Sequence, residues 1–336
     1  MTKYYKHPSP LKLEMGAVLP SVDIAYHTWG ELNGDKDNVI WVCHAFTANS
    51  DVLDWWPNIV GSGLAIDTDK YFVVCANILG SCYGTTGAMS INPDTGKPWF
   101  SNFPRITVRD LVNCHEILRK HLEIKNIRAV IGGSVGGQQA LEYAIMCPDV
   151  VSSALVGACS AKQTPWAIAF NETMRMAIKS DSTYDDNTPE GGLQGLKTAR
   201  AVALLSYRNE HTYNTTQKDE NDDELLYHRA CSYQQYQGEK LIKRYDAYTY
   251  MTMTYLADSH NVGRGRGGVE KVLKSIKIPV MVMGVDTDLL YPIESQKYMS
   301  RLIPDSKFYE IESQFGHDGF LIETDKISLL IKGFIN

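Results

Sequence analysis

No run in this 336-residue chain approaches the roughly 18 consecutive apolar residues that a membrane-spanning helix needs. The opening MTKYYKHPSPLKLEMG also lacks the apolar centre of a secretory signal, so a soluble, cytoplasmic protein is expected. Blocks of lysine and arginine are missing too. With a net charge of −6 and no basic cluster, the chain carries no electrostatic footprint for DNA or RNA. No Cys-x-x-Cys pair occurs. The seven cysteines stand singly at Cys43, Cys75, Cys82, Cys114, Cys147, Cys159 and Cys231, several of them inside apolar runs, which predicts buried reduced thiols and no disulfide frame. Zinc-type spacings such as HExxH are absent and the nine histidines are scattered, so no metal site is expected. GRGRGG (263–268) mimics a dinucleotide fingerprint, yet no strand precedes it and no ribose-binding acid follows at the required distance, so it reads as a loop.

What is present is a core. Hydrophobic residues make up 44% of the chain and charged ones 21%, an ordinary globular balance. VIWVCHAF (39–46), YFVVCANIL (71–79), IRAVI (127–131), SALVGA (153–158), IPVMVMGV (278–285) and SKFYEI (306–311) are short, nearly continuous apolar runs, the mark of strands covered on both faces. Helical patterns lie between them. In TVRDLVNCHEILRKHL, Thr107 and Asp110 form a capping box, and Leu111, Cys114, Leu118 and Leu122 recur at helical spacing. Strand alternating with helix predicts a doubly wound, mostly parallel α/β sheet. The rhythm stops near residue 160 and resumes near 273. Residues 161–272 are polar, Tyr-rich and helical in pattern, with an acidic stretch KDENDDE (218–224), and read as a helical cap inserted into a core built from 1–160 and 273–336.

The densest signal is IRAVIGGSVGGQQALEYA (127–144), where Gly132-Gly133-Ser134-Val135-Gly136 fits G-x-S-x-G with a strand before it and a helix after it. A serine on such a turn is held in a strained conformation, and small neighbours let strand and helix backbones come into contact. The amino end of the helix offers free N–H groups where an oxyanion can form. Serine is a weak nucleophile that needs a base, itself held by a carboxylate. In this strand order the acid follows a late strand and the histidine follows the last one. GVDTDLLYP supplies Asp286 or Asp288 as the acid. SQFGHDGFL supplies His317, the only histidine after His260. The second oxyanion donor should come from the loop after an early strand, where HAF places the N–H of Phe46, in preference to that of Ala45, opposite the N–H of Val135. His44 reads as structural.

The segments CHAFTAN, WWPNIVGSGLAIDTDKYFVVCANILGSCYGTTG, SINPDTGKPW, FPRITVRD, GGSVGGQQALEYA, GRGRGG, DTDLLYP and GHDGFL together resemble the homoserine O-acetyltransferase family of α/β-hydrolase-fold enzymes, along nearly the whole chain. The resemblance implies acyl transfer from acetyl-CoA, or another acyl-CoA, to the hydroxyl of L-homoserine through an acyl-serine, on the route to methionine. It places the nucleophile at Ser134, the acid at Asp288 and the base at His317. It also implies an acceptor site built from Arg200, Tyr207 and Asp318, small-molecule substrates only, no permanently bound cofactor, and a homodimer. The residue types suit that acceptor: Arg200 can fork onto a carboxylate, Asp318 can pair an ammonium, and Tyr207 can donate a hydrogen bond. The chain has HAFTAN where the family commonly has HALTGD, GGSVGG where GGSMGG is common, and GAMSINP where a proline often follows the glycine. These departures fall around the acyl pocket and oxyanion region and leave the triad intact, so the identity of the acyl group is open and a succinyl donor competes with acetyl; a serine acceptor and a plain esterase with the same triad are the other competing expectations.

Overall fold

The computed structural model describes residues 1–335. Eight strands form one sheet: β1 (Lys3–His7), β2 (Val22–Trp29), β3 (Val39–Cys43), β4 (Phe72–Ala76), β5 (Ile127–Gly133), β6 (Ala154–Gly157), β7 (Val280–Val285) and β8 (Ser306–Ile311), in the spatial order β1-β2-β4-β3-β5-β6-β7-β8. From β4 to β8 every pairing is parallel, while β1 and β2 add antiparallel strands at one edge. Every residue of β3, β6 and β7 is buried, as strands covered on both faces require. The alternation is explicit in β3. Val39, Trp41 and Cys43 point into one apolar cluster, and Ile40 and Val42 into the other, where they meet Trp56, Ile327 and Ile331.

Two sequence expectations change. SKFYEI does form a strand, but β8 is the sheet edge, and only Ile311 of its six residues is buried. Its apolar residues meet solvent on one side. Four of the seven cysteines are buried, whereas Cys82 and Cys147 are half-buried and Cys231 is exposed on a helix of the insertion. All seven are free thiols.

Helix α1 (Val108–His121) starts at Thr107, whose backbone N–H donates to the Asp110 carboxylate at 2.8 Å. Helix α2 (Val135–Met146) follows β5 directly and is buried along its first ten residues. Between β6 and β7 the chain is helical: α3 (Pro165–Lys179), α4 (Leu193–Tyr207), α5 (Glu210–Thr216), α6 (Arg229–Ile242), α7 (Ala247–Asp258) and α8 (Val269–Ser275). These helices share the sheet's own core, since Leu196, Ala199, Ala203, Leu241 and Tyr248 belong to the cluster that holds Trp41 and Val130. GRGRGG is a loop before α8. Its Arg266 guanidinium meets the buried Glu142 carboxylate of α2 at 2.6 Å, and Arg264 pairs with Glu14 at 2.7 Å, so it ties the insertion to α2 and the amino-terminal segment. After β7 come α9 (Glu294–Leu302) and, following β8, α10 (Thr324–Ile335), which packs on the second face. Among the described residues no helix is long and apolar enough to cross a membrane.

Candidate active site

The glycines around Ser134 are there because backbones touch. A Cβ on Gly132 would sit 2.2 Å from the Gly136 carbonyl oxygen, one on Gly136 2.1 Å from the Cys43 oxygen, and one on Gly133 2.4 Å from the Phe320 ring. Strand β5, helix α2 and the end of β3 therefore converge with no room for side chains. Gly136→Ala is expected to cost about 1–3 kcal/mol of overpacking, because the obstacle is main chain that cannot rotate away. A lower denaturant midpoint at unchanged slope would show it.

At the apex Ser134 adopts φ 58° and ψ −126°, a left-handed conformation that a serine pays for with strain of order 1–3 kcal/mol. The turn is fixed on both sides, with Ser134 N–H donating to the Gly157 carbonyl and Gln138 N–H to the Ser134 carbonyl, both at 3.0 Å. The hydroxyl stands 2.8 Å from His317 Nε2, and His317 Nδ1 lies 2.6 Å from Asp288 Oδ2. Both partners are buried. Asp288 Oδ1 accepts the Tyr291 N–H at 2.8 Å, which leaves Oδ2 for the histidine. Asp286 is exposed and accepts the Ser313 N–H instead, at 2.9 Å, bracing the loop after β8. Thr287 joins the two loops by donating to the Ser313 carbonyl and accepting the Gly316 N–H.

Burial pushes the His317 imidazole toward lower pKa, but the Asp288 charge and hydrogen bond, with the Asp318 charge behind them, outweigh it and leave the ring raised above an ordinary histidine. A base role needs the neutral ring, so any activity through it should fall as pH drops through a value above the usual 6.5. Asp318→Asn removes one raising contribution and is expected to move that acid limb to lower pH. The pH profile of the acylation half-reaction alone reads this.

The triad opens into a cleft of about 220 Å³ lined by Ala45, Phe46, Trp55, Ser134, Arg200, Tyr207, Arg244, His317 and Asp318. That is smaller than the roughly 300–1,000 Å³ of pockets for drug-sized ligands, so it suits a molecule of amino-acid size. Arg200 and Tyr207 both come from α4, with the guanidinium carbon 5.7 Å from the Tyr207 ring centroid, and that ring lies 5.8 Å from the His317 ring. What brings the end of α4 onto the histidine loop is Gly316, at φ 63°, where a Cβ would meet the Arg208 and Asn209 backbone at 2.8–2.9 Å. Asp318 faces Arg208, whose Nε is 3.2 Å from Oδ2 but is not aligned for a hydrogen bond. Burial raises the Asp318 carboxyl, and Arg208, His317 and Arg200 pull it down without cancelling that effect.

Of the candidates named from sequence, Ser134, His317, Phe46, Arg200, Tyr207 and Asp318 line one cleft, Asp288 stands behind His317, Val135 follows the serine in the chain, and Asp286 lies apart on an exposed loop. Among the described residues, neither the Phe46 nor the Val135 N–H donates to a backbone carbonyl. Two cations escaped sequence reasoning, Arg244 lining the cleft and Arg208 facing Asp318 beside it. Arg208 is the residue after Tyr207, at the end of the same helix, and adjacency could have drawn attention to it. Arg244 comes from the junction of α6 and α7, donating to the Thr47 carbonyl at 2.6 Å and to the Tyr83 hydroxyl, and nothing in its KRYD context points to the site.

The chain matches the family model for the alpha/beta hydrolase fold over residues 38–324. It is 45% identical over 326 residues to a homoserine O-acetyltransferase of Cyclobacterium marinum, covering 96% of this chain and 92% of that protein. It is 42% identical over 336 residues to the homoserine O-acetyltransferase of Chlorobaculum tepidum, covering 99% and 94%. Among solved structures it resembles homoserine O-acetyltransferase from Bacillus anthracis, with a TM-score of 0.93, 26% identity and coverage of 100% and 98%. It also resembles esterase E22, with a TM-score of 0.90, 25% identity and full coverage of both chains.

Proposed function

Because this chain belongs to the homoserine O-acetyltransferase family of the α/β-hydrolase fold, we propose that it transfers an acetyl group from acetyl-CoA to the hydroxyl of L-homoserine through an acetyl-Ser134 intermediate. The observation that carries the reading is the continuous chain Ser134–His317–Asp288 opening into a cleft it shares with Arg200, Tyr207 and Asp318. In the first half-reaction His317 Nε2 takes the Ser134 proton as Oγ bonds to the thioester carbonyl carbon. The N–H groups of Phe46 and Val135 hold the oxyanion until the C–S bond breaks and CoA leaves, taking up the proton. In the second, His317 takes the proton of the homoserine hydroxyl, that oxygen attacks the acetyl carbon through the same oxyanion geometry, and Ser134 leaves with the proton returned to it. The acetyl group reaches the alcohol only if the alcohol is held in line and water is kept out.

Arg200 forking onto the acceptor carboxylate, Asp318 pairing its ammonium and Tyr207 donating a hydrogen bond would give that alignment. Arg208 Nε lies 3.2 Å from Asp318 Oδ2, so the acceptor ammonium would share that carboxylate with a guanidinium. Arg200→Ala is expected to raise the homoserine KM by about 10²-fold or more, the loss of a charge-assisted bidentate contact, while acetylation of Ser134 continues. Steady-state kinetics beside intact-protein mass spectrometry separates the two. Loss of acetylation in that variant would remove Arg200 from the acceptor site.

Residues 161–272 act as the cap that brings Arg200 and Tyr207 over Asp318 of the core, and the small, charged cleft fits small-molecule substrates. A homodimer in the cytoplasm is part of the same reading, with size-exclusion chromatography and light scattering to test the dimer. The likeness to esterase E22 favours one rival, hydrolysis of an ester by the same triad. A matrix of acetyl-CoA and succinyl-CoA against homoserine and serine, read by CoA release, decides. Release that depends on homoserine supports transfer, and release indifferent to any acceptor supports the hydrolase.

A further inference from the structure

Four successive carbonyls of the loop after β3 are each held by a side chain. The His44 carbonyl accepts Gln139 Nε2 at 3.1 Å, the Ala45 carbonyl accepts His44 Nδ1 at 2.9 Å, the Phe46 carbonyl accepts the Tyr245 hydroxyl at 3.2 Å, and the Thr47 carbonyl accepts Arg244 Nη1 at 2.6 Å. The His44 ring is fully buried, and its other nitrogen, Nε2, lies 3.0 Å from the Ile78 N–H. That N–H can only donate, so Nε2 carries the lone pair and Nδ1 carries the proton given to Ala45. Burial drives the imidazole down to about 4, which keeps it in this neutral form at physiological pH. No peptide among the described residues is cis, and in a trans peptide C=O and N–H point in opposite directions. Fixing the Ala45 carbonyl therefore fixes the direction of the Phe46 N–H. Gln139 does the complementary job from the nucleophile helix. Its Nε2 also reaches the Val135 carbonyl at 3.2 Å, and its Oε1 meets His115 Nε2 at 3.0 Å.

We propose that His44 is a positioning residue for the transfer reaction: wedged between the Ile78 N–H and the Ala45 carbonyl, it aims the Phe46 N–H at the oxyanion, and Gln139 sets the spacing to the Val135 N–H by bonding both segments. This rests on the acetyl-Ser134 reading above. It also accounts for a buried histidine that contributes no proton to the reaction. Such a bracket means the donors need not reorganise as charge develops, which is the condition under which an oxyanion hole accelerates a reaction.

The test follows both half-reactions separately, by time-resolved mass spectrometry of acetyl-Ser134 formed from acetyl-CoA and then discharged by homoserine. His44→Ala is expected to slow formation and discharge alike by about 10²-fold, the typical loss for one misplaced donor, with the homoserine KM unchanged. His44→Asn places an amide N–H where Nδ1 stood and is expected to recover most of that rate. A folded His44→Ala protein with both rates within about threefold of the wild type overturns the proposal, as does a loss confined to KM. Where His44→Ala does not fold, Gln139→Met decides: slowing of both half-reactions supports the bracket, and wild-type rates overturn it. Wild-type protein that never acquires acetyl on Ser134 would instead sink the acyl-serine reading and the bracket with it.

Discussion

Ser134→Ala is expected to lower kcat by about 10⁶-fold, with His317→Ala close behind it and the double variant no worse than either alone. The non-additivity is the informative part. The two side chains share one hydrogen bond of 2.8 Å, and the hydroxyl is a competent nucleophile only while the ring can take its proton. Once one partner is gone, the other has no chemistry left to lose. What remains in both variants is the cleft, the Phe46 and Val135 N–H groups and the acceptor residues, so homoserine binding measured calorimetrically should persist. Acetylation detected by intact mass should vanish in Ser134→Ala. A variant that keeps more than about 1% of wild-type turnover, or still becomes acetylated, would mean that another residue attacks the thioester.

Much of this site could be read in the sequence because its parts obey local rules. A strand buried on both faces must be apolar along nearly its whole length, so β3, β4, β5, β6 and β7 announce themselves, with Arg128 of β5 the one exposed exception. A serine forced to φ 58° where backbones touch needs glycine two positions before and two after it, at Gly132 and Gly136. Where the controlling physics was non-local, the sequence was silent. Strand β1, KYYKH, is an exposed antiparallel edge whose five residues show no continuous apolarity, and only its pairing with β2 makes it a strand. Asp286 and Asp288 are two residues apart on one loop, and their identical chemistry leaves the choice to burial: the first is exposed and braces Ser313, the second is buried against His317. Arg244 reaches the cleft from 110 residues beyond Ser134 through a helix junction that no periodicity describes. His44 could be read only as structural, since the bonds that give it a direction run to Ile78 and Ala45 backbone groups.

Asp288→Asn is the second large effect, expected at about 10⁴-fold in kcat with the fold intact. The substitution keeps shape and volume, and the amide oxygen can still accept the Tyr291 N–H now held at 2.8 Å. That leaves the amide NH₂ facing His317 Nδ1, which must then accept, so the ring's proton moves to Nε2. A ring protonated at Nε2 donates toward Ser134 and cannot take its proton. The geometry survives and the tautomer is wrong. Losing the carboxylate also removes the main influence holding the imidazole above its ordinary pKa, against a burial effect that pushes it down. The residual activity should therefore show its acid limb at lower pH than the wild type, opposite to what a general loss of folding would give. Asp286→Asn is the matched control. Exposed, with its carboxylate accepting the Ser313 N–H on the loop after β8, it is expected to leave kcat within about threefold of wild type. Equal losses in the two variants, or an unmoved acid limb in Asp288→Asn, would show that the carboxylate at 288 does not set the state of the histidine.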